Sequence, residues 1–118
     1  MEFRFSGGEP VYQQIVEQFR DAVLAGQFAP GERVPPVREL AAQARVNPNT
    51  MQRAMLLLEQ ESLLVGEGTA GRHVTRDETV LAALRVDAVS RLVTEFKTKL
   101  EVLGVSSKEA AELLLKEE

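Results

Sequence analysis

The sequence RELAAQARVNPNTMQRA, residues 38–54, decides the fold of this chain. Asn47 can cap a helix, because its side-chain oxygen can accept an unpaired backbone N–H of the first turn. Pro48 suits the first helical position, where its ring presets φ and its missing N–H removes no hydrogen bond. The stretch therefore predicts a short helix, a tight turn and a second helix that begins at Pro48. Such a helix-turn-helix presents the front of its second helix to base edges in the major groove of DNA.

Four polar side chains lie at the front of the predicted second helix, namely Asn49, Thr50, Gln52 and Arg53. A glutamine can make paired hydrogen bonds to adenine, and an arginine can make them to guanine. We therefore predict that these four residues contact DNA, although Asn49 and Thr50 could instead support the start of the helix. Arg45 precedes the turn and is predicted to contact a phosphate.

The segments around this motif predict one more helix and three short strands. Apolar residues at helical spacing in residues 10–25 predict an amphipathic helix, which Gly26 ends. Residues 32–34, 63–65 and 72–75 are short and rich in residues that favour strands, and three glycines lie in the loop 66–71. Two strands joined by such a loop after a helix-turn-helix predict a hairpin wing, in which Arg72 would contact the DNA backbone.

Residues 77–118 predict a long helix followed by a short one, which Ser106 and Glu109 open as a capping box. Two helices alone cannot bury both of their apolar faces, so they must pack on the first domain or on another chain. We predict that they form a dimerisation arm, because two-fold dimers are the commonest oligomers. The predicted contacts are Leu81, Leu84, Ala88, Leu92, Phe96, Leu100, Leu103, Leu113 and Leu114. The predicted fold is thus mainly α with a small β wing: a winged helix-turn-helix domain in residues 1–76 and a two-helix dimerisation region in residues 77–118.

Composition and charge limit the classes of function. The chain has 118 residues, no cysteine and a formal net charge of −4 at pH 7, which disfavours tight binding to nucleic acid. Residues 33–58, however, contain four arginines and one acid, Glu39, and affinity depends on the charges that touch phosphates. The absence of cysteine and of a long apolar run predicts a cytoplasmic protein without a membrane segment.

The order of several motifs is similar to that of the GntR family of transcriptional regulators. These motifs are PVYQQI at 10–15, GQFAPGERVP at 26–35, RELA at 38–41, VNPNT at 46–50 and GRHV at 71–74. The tail motifs LGVS at 103–106 and EAAELL at 109–114 resemble the YtrA subfamily. The resemblance implies a dimeric regulator without a large effector domain, of a kind that often controls transporter operons.

The resemblance also implies DNA contacts at particular positions. Arg38 matches a DNA-contacting arginine in the first motif helix, although it could instead form an ion pair within the protein. Gly71 matches the wing glycine that allows the backbone to approach the minor groove, and the family's first wing glycine falls near Thr69. Pro48 stands where many relatives have arginine, so base contact falls on Asn49, Thr50, Gln52 and Arg53.

Together these observations predict a sequence-specific DNA-binding regulator, a repressor that binds an inverted-repeat operator as a dimer. The alternative is a winged-helix module that binds protein instead of DNA. No nucleophile–base pair or phosphate-binding loop with a following lysine is visible, so we predict no enzyme activity and no cofactor. His73 is the only histidine and is predicted to pack in the wing instead of binding a metal. A small-molecule effector is compatible with the sequence, but no motif supports one.

Overall fold

The computed structural model describes residues 1–116, without the side chain of Ala70. The helices are α1 (Val11–Leu24), α2 (Val37–Ala44), α3 (Pro48–Gln60), α4 (Glu78–Val102) and α5 (Ser107–Lys116). The strands are β1 (Arg33–Val34), β2 (Leu64–Gly66) and β3 (Arg72–Val74), and a 3-10 turn, Gly68–Ala70, lies between β2 and β3. The predicted fold class is confirmed, because the chain is mainly helical and its strands form one small sheet.

The turn between α2 and α3 forms for the local reasons that the sequence indicates. Asn47 Oδ1 accepts the backbone N–H of Asn49 at 2.7 Å, and Pro48 occupies the first turn of α3. Arg45 ends α2 in the left-handed conformation, with φ of 58°. The backbone N–H of Val46 then donates to the carbonyl of Ala41 at 3.0 Å, so the turn is closed by a hydrogen bond on each side.

The core of the first unit, Met1–Leu84, lies where α1, α2 and α3 meet the sheet. It contains apolar side chains from every one of these elements, and the largest fully buried ones are Phe19, Ile15, Leu40, Met51, Met55, Leu58, Leu63, Leu64 and Val74. Burying a side chain of this kind contributes about 1.5–3 kcal/mol. This packing determines which face of α3 turns inward, and it leaves the opposite face of that helix in solvent.

The sheet is antiparallel in the order β1-β3-β2, so the strand that follows the wing loop lies in the middle. Leu64 of β2 pairs with Val74 of β3, and both side chains are buried. The wing loop is closed at its base by a hydrogen bond from Glu67 N–H to the carbonyl of Gly71 at 2.8 Å. The wing is therefore a short hairpin whose root belongs to the core.

The N-terminal segment runs along α1 and is held there by two glutamine side chains. Gln18 accepts the N–H of Arg4 at 2.9 Å and donates to the carbonyl of Arg4 at 2.7 Å. Gln14 makes the corresponding pair with Ser6, at 3.0 and 2.8 Å. These amides pair with alternate residues of the segment, as a neighbouring strand would, so the segment is extended. Phe3 packs against the core.

A second unit begins at Arg85, inside α4, instead of at the predicted boundary after residue 76. The reason is that Leu81 and Leu84, at the start of α4, pack against the core of the first unit. Among the described residues of the second unit, Ala110 of α5 is the buried one. The predicted cap of α5 is present, with the N–H of Glu109 donating to Ser106 Oγ at 3.2 Å. The predicted region extends to residues 117–118, which lie outside the described residues.

Candidate nucleic-acid interface

The front of α3 exposes the polar side chains that the sequence predicts as DNA contacts. Asn49, Gln52 and Arg53 are exposed and Thr50 is half-buried. Within residues 1–116, the side chains of Asn49 and Gln52 have no hydrogen-bond partner. These two amides are therefore free to pair with a partner outside the chain, while Met51, between them, is fully buried and anchors the helix.

Arg53 is held by an aromatic ring of α1, a contact that sequence reasoning missed. Its Cζ atom lies 3.7 Å from the ring centroid of Tyr12. A cation stacked on a ring at an exposed site gains about 0.5–1 kcal/mol. Gln13 Nε2 donates to the hydroxyl of Tyr12 at 3.2 Å, which orients the ring in turn. The face of the Arg53 guanidinium is thus occupied, and its N–H edge remains as the part that can donate.

Arg38 and Arg45 have a different environment from Arg53. Both side chains are exposed, one on the first turn of α2 and the other in the turn before α3. In the described part of the chain neither side chain has an ion-pair partner. The ion pair that was the alternative prediction for Arg38 is therefore not formed among these residues. Two positive charges without an acidic partner in the described residues therefore precede the exposed front of α3 in the sequence.

The wing contains Thr69, Gly71 and Arg72, the three residues predicted there. Thr69 and Gly71 are exposed at the tip of the hairpin. Gly71 has a φ of 90°, and a Cβ built on it would meet no atom within 4 Å, so the position requires glycine for its backbone conformation and not for space. Arg72 differs from the other two, because its Nε atom is paired with the carboxylate of Glu59 at the end of α3.

His73 lies on the other face of the sheet, with charged groups on two sides. Its Nδ1 lies 2.6 Å from Glu67 Oε1, although without the alignment of a hydrogen bond, and its Nε2 lies 3.5 Å from Arg76 Nη1. The predicted packing role omitted the carboxylate of Glu67. That carboxylate places a negative charge in the wing, beside the imidazole of His73.

Comparisons with known proteins now bear on this geometry. A sequence profile for the family described as "Bacterial regulatory proteins, gntR family" matches residues 11–74, which is the segment from α1 to β3. The chain belongs to the GntR family. The predicted resemblance is thus confirmed, and this GntR chain is a transcriptional regulator with a winged-helix DNA-binding domain and not an enzyme.

Two curated relatives indicate the kind of GntR protein that it resembles. An uncharacterised regulator of the helix-turn-helix type from Bacillus subtilis, YhcF, is 30% identical over 113 residues, which cover 95% of this chain and 93% of that protein. The transcriptional repressor YtrA from the same organism is 43% identical over 63 residues, or 51% of this chain and 48% of that protein. The similarity to YhcF thus extends into α4 and α5, whereas the similarity to YtrA is confined to about half of the chain.

Solved structures agree with this assignment. A GntR-family regulator from Listeria monocytogenes superposes with a TM-score of 0.87 at 28% identity, covering 95% of this chain and 98% of that one. The DNA-binding domain of AraR in complex with operator ORX1 superposes with a TM-score of 0.59 at 26% identity, covering 64% of this chain and 96% of that one. Both superpositions agree with a winged-helix domain of the GntR family, and in the second structure the AraR domain is bound to an operator.

Within the described residues, no group of three or more histidine, cysteine or acidic side chains is placed to hold a metal ion. No helix in residues 1–116 is long and apolar enough to cross a membrane.

Proposed function

We propose that this chain represses transcription by binding an inverted-repeat operator as a homodimer. The observation that carries the proposal is the exposed, unpartnered pair Asn49 and Gln52 at the capped front of α3. The name of YtrA, a transcriptional repressor, supports repression. A transporter operon as the target rests on the resemblance to the YtrA subfamily.

The proposed contacts divide into those that distinguish bases and those that bind phosphate. Gln52 and Asn49 meet base edges, because their amides can donate and accept at once and have no partner in the described chain. Arg38 and Arg45 bind phosphates, since an exposed arginine without an acidic partner can release counterions from DNA. Thr69 and Gly71 approach the minor groove at the wing tip. Phosphate contacts set the register of the protein on DNA, and base contacts set the sequence.

The proposed dimer forms through the second unit, whose apolar side chains are exposed. Between Arg85 and Val102, α4 has no buried residue in the described structure. Even large apolar side chains are open to solvent there: Val86 is 66% exposed and Leu92 is 63% exposed. A stripe with spacings of three and four residues runs along this helix: Val86, Val89, Val93, Phe96, Leu100 and Leu103. This spacing is typical of a helix that pairs with another helix, so a second copy of the chain would cover the stripe.

The stripe differs from the predicted set of dimer contacts. Leu81 and Leu84 are engaged with the core of their own chain, whereas Phe96, Leu100 and Leu103 belong to both sets. Val86, Val89 and Val93 belong to the proposed interface but not to the predicted set. Their spacing of three and four residues was a signal that could have identified them. Leu113 and Leu114 of α5 are also exposed and remain part of the proposed interface.

Selection from random duplex DNA tests the proposal. The purified chain should enrich a palindrome with half-sites about one helical turn apart, and log affinity should fall linearly with log salt concentration. Arg38→Ala should weaken binding to all sequences and lower the salt slope by about one unit. Repression is then measured with a reporter downstream of the selected site. No retention of DNA at any salt concentration would instead favour a protein-binding module.

A further inference from the structure

The base of the wing is tied to the end of α3 by one ion pair. Arg72 of β3 directs its Nε at Oε1 of Glu59, which lies one residue before α3 ends. The pair is partly shielded, with side-chain exposures of 17% for Arg72 and 31% for Glu59. A shielded charge-assisted hydrogen bond is stronger than a solvated one, so this contact can hold the two elements together.

The carboxylate of Glu59 also lies against β2, the other strand of the wing. A Cβ built on Gly66 would lie 3.1 Å from Glu59 Oε1, closer than nearly all real contacts of this kind. Glu59 therefore packs against one strand of the hairpin while it pairs with Arg72 on the other. This one side chain of α3 therefore contacts both strands of the wing.

Beyond the base of the wing, a crevice of about 320 Å³ lies between the wing and the body of the domain. Pro36, Val37 and Met55 line it on the side of the helices, and Thr69 and Gly71 line it on the side of the wing. Because an open crevice offers no steric resistance to tilting, the orientation of the wing depends on contacts at its base.

We propose that Glu59 is a positioning residue for DNA binding, which holds Arg72 and thereby sets the angle between the wing and α3. Arg72 then acts as a latch within the protein and not as a contact to the DNA backbone. The inference rests on the proposed function, since the wing must meet the minor groove for its angle to matter. The effect of removing Glu59 on DNA affinity should also be opposite to that of removing an ordinary acid near DNA. Removing a carboxylate normally strengthens binding to phosphates, whereas removing this one weakens it.

The test measures operator affinity at 0.15 M salt for wild type, E59Q, R72M and the double variant. We expect E59Q and R72M each to bind roughly fivefold more weakly, the electrostatic value of one phosphate contact at that salt. The double variant should bind no more weakly than either single one, because both remove the same latch. E39Q is the matched control: it removes an exposed acid of α2 that has no ion pair in the described structure, and should bind equally or slightly more tightly.

A second measurement separates positioning from general loss of structure. Dimethyl sulfate modifies guanine N7 in the major groove and adenine N3 in the minor groove, so one reagent reports on α3 and on the wing. In E59Q, protection of adenine N3 beside each half-site should be lost while protection of guanine N7 is kept. Affinity of E59Q at or above that of wild type would overturn the latch, and so would additive losses in the double variant. If wild type itself retains no operator, the proposed function fails instead.

Discussion

The winged unit, Met1–Leu84, and the helical arm, which begins at Arg85, place their apolar residues in opposite environments. In the winged unit, the large apolar side chains of three helices and the sheet converge on one core, and Phe19, Met51 and Leu58 are fully buried. In α4 beyond Arg85, apolar side chains such as Val86 and Val93 lie in solvent. The first unit can therefore be stable within one chain, whereas the arm exposes a surface that is suited to a second chain. The polar surface of the winged unit at the front of α3 is the proposed DNA-binding surface.

The largest effect should come from a cavity in the core of the winged unit. Phe19→Ala should lower the free energy of unfolding by about 3–5 kcal/mol, because the emptied site loses both burial and packing. Urea unfolding followed by far-UV circular dichroism measures it. Leu92→Ala in the arm is the matched control and should change the unfolding of the winged unit by less than about 0.5 kcal/mol. Equal losses from the two variants would remove the distinction between the regions.

A charge in the exposed stripe of α4 should have the next largest effect, on association and not on folding. Val93→Glu would bury an unpaired carboxylate in the proposed interface and should weaken the dimer by about 2–3 kcal/mol. Sedimentation velocity at micromolar concentration measures the shift from dimer to monomer. Ser90→Glu, three residues away and outside the stripe, should leave the dimer intact. A Val93→Glu chain that sediments as wild type does would exclude this face as the interface.

Within the winged unit, the front of α3 should matter for sequence preference and its rear should not. Gln52→Ala should cost about 1–3 kcal/mol at a single base pair of the operator, since it removes a paired hydrogen bond to one base. Affinities for a set of single-base operator variants measure this. Gln60→Ala, an exposed glutamine at the last residue of α3, should leave the preference unchanged. An unaltered preference in Gln52→Ala would shift base contact to Asn49 and Thr50.

The smallest effect should come from the ring that supports Arg53. Tyr12→Leu keeps an apolar side chain but removes the stacked ring, and should weaken operator binding by about 0.5–1 kcal/mol. Fluorescence anisotropy of a labelled operator measures it. Tyr12→Phe keeps the ring face and should bind as wild type does. If the Phe variant weakens binding as much as the Leu variant, the hydroxyl and not the stacking is what matters.

Several elements could be predicted from the sequence because their causes are local. The Asn47 cap, the proline at the start of α3 and the glycine at position 71 depend on a few neighbouring residues and on backbone geometry. The buried face of α3 follows from helical periodicity. Family motifs added the order of the elements and the positions of DNA contacts, because those motifs combine turns, caps and core residues at set distances.

The rest depends on contacts between residues far apart in the sequence. Nothing near Arg53 indicates that Tyr12, 41 positions earlier, lies beneath its guanidinium. The pairing of Arg72 with Glu59 needs the hairpin to fold back onto the end of α3. The predicted domain boundary after residue 76 ignored Leu81 and Leu84, whose spacing along α4 is the same whether they face a partner or their own core.

The positions of the helices, the helix-turn-helix motif and its polar front can all be read from the sequence. These properties arise from capping, periodicity and turn chemistry within a few residues. Only the tertiary structure decided which of the arginines are free. Arg38 and Arg45 have no acidic partner in the described chain, while Arg53 and Arg72 are held by groups that folding brings to them. An arginine that the fold has paired with a carboxylate is less available to DNA, whereas one stacked on a ring still presents its N–H groups. Both kinds of contact join residues far apart in the sequence, so they form only when the chain packs.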